Sequence, residues 1–195
     1  MKRSILFFLA LVALPVAAIA DWRPIERVEH YAVTGATGIE LYRSIGENGP
    51  SAGIGRAIAY TDFDLLWSRD YRPQADGSCV LASARPSLTI TYRLPRPAGP
   101  LPAHTQRLWD VFIAGVEKHE RVHGEIILEM TRQIEAMSVG IRAEDDPDCQ
   151  KVRAELQRRL VAISEERHER NREFDRVELS EGGNVHQLVL ALVNG

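Results

Sequence analysis

From Pro102 to Met137 the apolar residues Leu108, Phe112, Val116, Val122, Ile126, Ile127, Met130, Ile134 and Met137 recur at three- and four-residue steps. That is the period of one helix face, and no proline interrupts it, so the pattern predicts a helix of unusual length around which the rest of the chain must pack. Two histidines, His119 and His123, fall on the same apolar face one turn apart, with Glu120 beside the first. The run His119-Glu120-Arg121-Val122-His123 is therefore an H-E-x-x-H motif inside a helix.

Residues four apart on a helix share a face, so both imidazoles can reach one ion. Zinc accepts neutral imidazole nitrogen at about 2.0–2.1 Å, and a catalytic zinc site keeps one position open for water. Glu120 stands where it can take a proton from that water, which reads it as the catalytic general base. With six histidines in 195 residues, such a pentad arises by chance in roughly 2% of chains of this composition. Two imidazoles facing a core one turn apart are costly to bury without a common partner. The pattern points to Zn2+ as cofactor, with His119 and His123 as ligands.

A third ligand is needed. Gly140 and the acidic segment Glu144-Asp145-Asp146-Pro147-Asp148 form a turn, with Asp148 as the expected N-cap of a second helix over 149–174. An antiparallel return centred near Ala143 sets Ser164 to His168 opposite the histidine pair, which makes Glu165, Glu166 and above all His168 geometric candidates. Asp175 and Glu181 lie just past that helix, from where they could fold back, so the third ligand is Glu181, Asp175 or His168. His168-Glu169-Arg170-Asn171-Arg172 imitates the first motif but ends in arginine, so it supplies no second pair. His30, His104 and His186 are isolated.

The first half of the chain is strand-rich. His30 to Val33 reads as a short strand, Gly38 to Ile45 as a short helix and Ala57 to Trp67 as a strand. Cys79 to Leu94 reads as another, with Leu88, Ile90 and Tyr92 on one face. The run Leu94-Pro95-Arg96-Pro97-Ala98-Gly99-Pro100 reads as a connector without regular structure. Val185 to Val193 is apolar but of undetermined type. The expected fold is α+β: a small, mainly antiparallel sheet packed on two long antiparallel helices.

Residues 1–20 read as a signal peptide, with Lys2 and Arg3, an apolar run from Ile5 to Leu14, and Ala18-Ile19-Ala20 before the cut. The apolar run is too short to span a bilayer of roughly 30 Å, so no stable membrane anchor is expected after cleavage. Residues 21–195 then suit one domain, periplasmic or secreted. They carry 22 basic and 27 acidic residues, which gives no electrostatic reason to bind nucleic acid. Cys79 and Cys149, an even count in an oxidising compartment, favour a disulfide over two free thiols.

The chain resembles an uncharacterised bacterial family of predicted secreted zinc-dependent proteases. The likeness rests on Tyr31 to Gly35, Gly49-Pro50, Trp67, Gly77-Ser78-Cys79, Leu94-Pro95, Trp109, the HERVH run and Cys149. It implies a zincin-like arrangement, a Cys79–Cys149 pair, and His119, Glu120 and His123 as active-site residues. Members usually carry an aromatic-Asp pair and then Thr-x-His-Gly. This chain keeps Phe174-Asp175 but has Glu181 before Gly182 where histidine is expected. The expected function is an exported zinc-dependent hydrolase, a metallopeptidase acting on a peptide or protein substrate through zinc-activated water. The alternative is a non-catalytic exported binding protein on the same scaffold.

Overall fold

The computed structural model describes residues 22–52 and 55–195; the expected signal peptide and its cut after Ala20 lie outside them. The elements run β1 (Ile25–Val33), α1 (Gly38–Asn48), β2 (Ser51–Ala52), β3 (Gly55–Arg56), β4 (Tyr60–Pro73) and β5 (Cys79–Pro97). There follow α2 (Ala103–Ser138), β6 (Arg142–Ala143), α3 (Gln150–Leu179) and α4 (Asn184–Asn194). The fold is α+β, with helices gathered against one mixed sheet.

That sheet has the order β1-β5-β4, with β6 pairing the start of β5. β4 and β5 are antiparallel, but β1 runs parallel to β5, from Ile25 opposite Thr89 to Val33 opposite Pro97. The sheet is thus mixed, against the mainly antiparallel expectation. β1 also begins five residues earlier than His30. Its first residues are exposed and half of them charged, which hides a strand from pattern reading, and the charges are held by partners on β5 and on the long helix: Glu29 pairs with Arg93 and Glu26 with Arg121.

β5 passes through the expected connector and ends only at Pro97. Pairing to β4 stops at Arg93, so Pro95 and Pro97 lie where β5 has β1 alone beside it. Pro86 lies at the other end, where β4 is present and β1 has not begun. Each proline therefore meets an open edge, where a missing N–H is tolerated.

Leu88, Ile90, Tyr92 and Leu94 project from one face of β5 as the period-two pattern requires, and all are buried. They pack against the apolar stripe of α2, where Trp109, Phe112, Val116, Ile127, Met130 and Ile134 are buried with them. α4, the segment of undetermined type, is a helix that buries Val185 and Leu192. Among the described residues no helix is long and apolar enough to cross a membrane.

A second, smaller cluster of Leu81, Ile141, Val152 and Leu156 surrounds the disulfide Cys79–Cys149. It joins the start of β5 to the start of α3. The cap of α3 is not Asp148. The buried Asp146 carboxylate accepts the N–H groups of Lys151 and Val152, each at 3.0 Å. Cys149 takes the left-handed conformation before the helix, at φ 59°, and this turn lets a carboxylate three residues earlier reach the first helical turn.

Candidate functional site

α2 brings His119, Glu120 and His123 against the sheet and α3, and all three are buried. His119 Nε2 lies 3.1 Å from His123 Nε2. Asp175 Oδ1, from α3, lies 3.2 Å from the first and 2.9 Å from the second. Of the three proposed third partners, Asp175 joins the histidines. His168 is exposed on the rim of the same cavity, with its ring against Arg167, and Glu181 is exposed in the turn beyond α3. Glu165 and Glu166 are exposed as well.

The reason lies in the return. His123 Nδ1 is 2.9 Å from Asn171 Oδ1, so α2 and α3 meet with residue 123 opposite 171, a fold-back centred near 147 rather than near Ala143. The intervening chain does not simply turn: it pairs with the sheet as β6, Ala143 opposite Cys79. The opposing residues move about two helical turns toward the C-terminus, which retires His168 and admits Asp175. α3 itself continues to Leu179 instead of stopping at Phe174.

Three atoms that converge at 2.9–3.2 Å from one another form a nearly equilateral triangle. Ligands about 2.0–2.1 Å from a tetrahedral zinc are separated by roughly 3.3–3.4 Å, so the triangle closely matches one face of that tetrahedron. Protonation agrees with the geometry. As Asn171 Oδ1 is assigned, His123 Nδ1 carries the proton and donates it, which in the neutral ring turns the Nε2 lone pair toward the carboxylate. Two lone pairs 2.9 Å apart need a cation between them, either a proton or a metal. The residues present therefore suit a metal ion, and His119, His123 and Asp175 would hold it.

The electrostatics follow from the same contacts. Burial works against the His123 imidazolium and the Asp175 carboxylate alike. Their mutual hydrogen bond, joined at His123 by Asn171 and at Asp175 by His119, outweighs it, raising His123 and lowering Asp175 from their ordinary values. Glu120 goes the other way: burial pushes its carboxyl up, against the opposing effect of Thr61. The Thr61 hydroxyl donates to Glu120 Oε2 at 2.6 Å and lies 3.1 Å from its backbone oxygen. The Phe174 ring stacks on His119, centroids 4.7 Å apart, and meets His123 edge-on. His119 Nδ1 is buried without a hydrogen-bond partner among the described residues, and the Glu178 carboxylate stands 3.8 Å from it.

Sequence reasoning misses Thr61, Asn171 and Glu178. The helical period carries a usable signal for two of them, since Asn171, Asp175 and Glu178 are spaced i, i+4 and i+7 on one face of α3. Nothing in the sequence marks Thr61. The site opens into a cavity of about 570 Å3 between the first residues of β4 and the two long helices.

No curated protein and no solved structure matches the chain. Residues 28–183, which take in the whole cluster from Thr61 to Glu178, match DUF922, described as a bacterial protein family of unknown function. The chain belongs to the DUF922 family.

Proposed function

We propose that the chain is an exported zinc-dependent peptidase, or a hydrolase of some other peptide-like amide. The observation that carries this reading is the convergence of His119 Nε2, His123 Nε2 and Asp175 Oδ1. A zinc ion held by them would supply a Lewis acid and an acidified water. Glu120 keeps Oε2 on the Thr61 hydroxyl and offers Oε1 as proton acceptor, to pass the proton to the departing amine. Its burial favours that role, because a general base works best with a pKa moved toward the working pH. Asn171 holds the His123 ring so that Nε2 faces the site.

A peptide is favoured as substrate by the neighbouring sheet. β4 is an edge strand, and its residues Tyr60 to Phe63 line the cavity, so an extended chain can pair with it while presenting one amide to Glu120. The zincin-like likeness is part of the same reading. The Cys79–Cys149 disulfide supports export to an oxidising compartment.

The first test is metal content by mass spectrometry on mature protein prepared without chelator, beside a His119→Ala/His123→Ala double variant. About one zinc per chain, lost in the variant, is expected. Folded wild-type protein without zinc after incubation with the metal would sink the reading. Glu120→Gln separates an enzyme from a binder: it should keep zinc and lose activity by roughly 10²- to 10⁴-fold.

A further inference from the structure

α3 carries seven arginines. Five are spent on carboxylates: Arg158 and Arg159 on Glu155, Arg170 on Glu129, Arg172 on Glu169 and Arg176 on Glu173. Arg153 lies over the Tyr71 ring. Arg167 differs from all of them. It is half-buried in the wall of the cavity that holds His119, Glu120, His123 and Asp175, and no carboxylate among the described residues pairs with it. Its Nε is buried without a partner among the described residues, its guanidinium lies over Phe63 at 5.3 Å, and one terminal nitrogen rests against the His168 ring.

A desolvated guanidinium with donors left over is costly, and a planar carboxylate is the group that satisfies it two bonds at a time. Burial lowers the pKa of Arg167, which accords with the lack of a neighbouring anion. Asp62, an acid of the same cavity wall, is already used: it accepts the Phe63 N–H and lies 3.6 Å from Arg93. The anion that Arg167 lacks is therefore absent from the chain's own described residues.

We propose that Arg167 is a specificity residue that receives a carboxylate of the peptide substrate. This rests on the peptidase reading above. Arg167 stands eight residues before Asp175 on one helix, roughly 12 Å along its axis. An extended peptide advances about 3.3 Å per residue, so the carboxylate belongs about three to four residues from the bond cut. It comes from an acidic side chain or from the C-terminus, and both present the same chemistry.

The test is retention of peptides by zinc-incubated Glu120→Gln protein, immobilised and compared with Glu120→Gln/Arg167→Gln and Glu120→Gln/Arg167→Lys. The probe is a pool of randomised octapeptides, half with free and half with amidated C-termini, read by mass spectrometry. Carboxylate-bearing peptides should be enriched about 10-fold or more, the Arg167→Gln protein should lose that enrichment, and Arg167→Lys should recover part of it. Enrichment confined to free C-termini names the terminal carboxylate; enrichment persisting with amidated peptides at fixed Asp or Glu positions names the side chain. Equal retention of neutral peptides, enrichment that survives Arg167→Gln, or no retention at all would overturn the proposal. Zinc stoichiometry of the same proteins, which Arg167 does not touch, reports separately on the metal reading.

Discussion

Gly124 lies against the hydroxyl of Tyr92 so closely that a Cβ there would stand 2.1 Å from the phenolic oxygen. Tyr92 is fully buried, with Arg121 stacked 4.2 Å over its ring, so it has no room to swing away. Glycine directly after the HERVH run lets the helix that carries the histidines sit down on β5. A Gly124→Ala variant should lose roughly 1–3 kcal/mol of stability through overpacking. Removing the hydroxyl in Gly124→Ala/Tyr92→Phe should restore part of the loss, because the next nearest atoms are 3.0 and 3.1 Å away. Urea denaturation of the four proteins of this cycle checks it; strictly additive losses would show that the close approach is not the cause.

The metal reading makes a sharp demand on α3. Asp175→Ala should weaken zinc binding by more than about 100-fold, while Asn171→Ala, which frees the His123 ring, should weaken it by roughly 10- to 100-fold. His168→Ala and Glu181→Ala should leave it unchanged, since neither side chain joins the cluster. Competition against a chromophoric zinc chelator measures all four. Zinc lost with Glu181 and kept without Asp175 would reverse the assignment.

Acid should weaken the protein partly through the cap of α3. Burial opposes ionisation of Asp146, but the N–H groups of Val152, Lys151 and Gln150 outweigh it and hold its carboxyl below the ordinary value. A lowered folded-state pKa gives stability that is complete above the unfolded value near 3.9 and fades as the pH falls through the folded one. Asp76 behaves alike: the Ser78 hydroxyl and N–H, with Arg142, lower it to about 2, so its share fades between about pH 4 and 2. Asp146→Asn should lower Tm at pH 7 by roughly 2–6 °C, and the gap to wild type should narrow toward pH 2. A gap of constant size from pH 7 to 2 would assign it to shape rather than charge.

Reduction should cost more than any of these. The disulfide closes a sequence separation of 70 residues, for which chain entropy gives about 4 kcal/mol. Denaturation with and without reductant, or of a Cys79→Ser/Cys149→Ser protein, measures it. Because the bond lies in the smaller apolar cluster, apart from the histidines, zinc stoichiometry of the protein that remains folded should not change.

How far the sequence leads depends on which force fixes each element. α2 and its histidine pair are legible because one helix records its buried face in its own spacing. β5 is legible over Leu88, Ile90 and Tyr92 for the same reason, but not past Leu94: proline punctuates a chain only where both edges of a strand are paired, and the end of β4 at Tyr60 is not written near Pro95. β1 is half hidden because its charged residues find partners 64 and 95 positions away. Asp175 stands among three candidates that the sequence does not separate, since the choice turns on whether residues 139–149 make a plain turn or a strand. Thr61 reaches Glu120 across 59 residues, a pairing that only packing decides.

The clasp at Cys79–Cys149 and the cluster at Asp175 stand 26 residues apart on one helix, close to 40 Å of axis. The helix is thus pinned to the sheet covalently at its root and, on the zinc reading, by coordination near its tip. The two fasteners answer to different surroundings. One closes where thiols are oxidised, the other where zinc can be captured, so on that reading a chain that has folded its root without yet meeting metal would keep its long arm attached, with its far end held by hydrogen bonds alone.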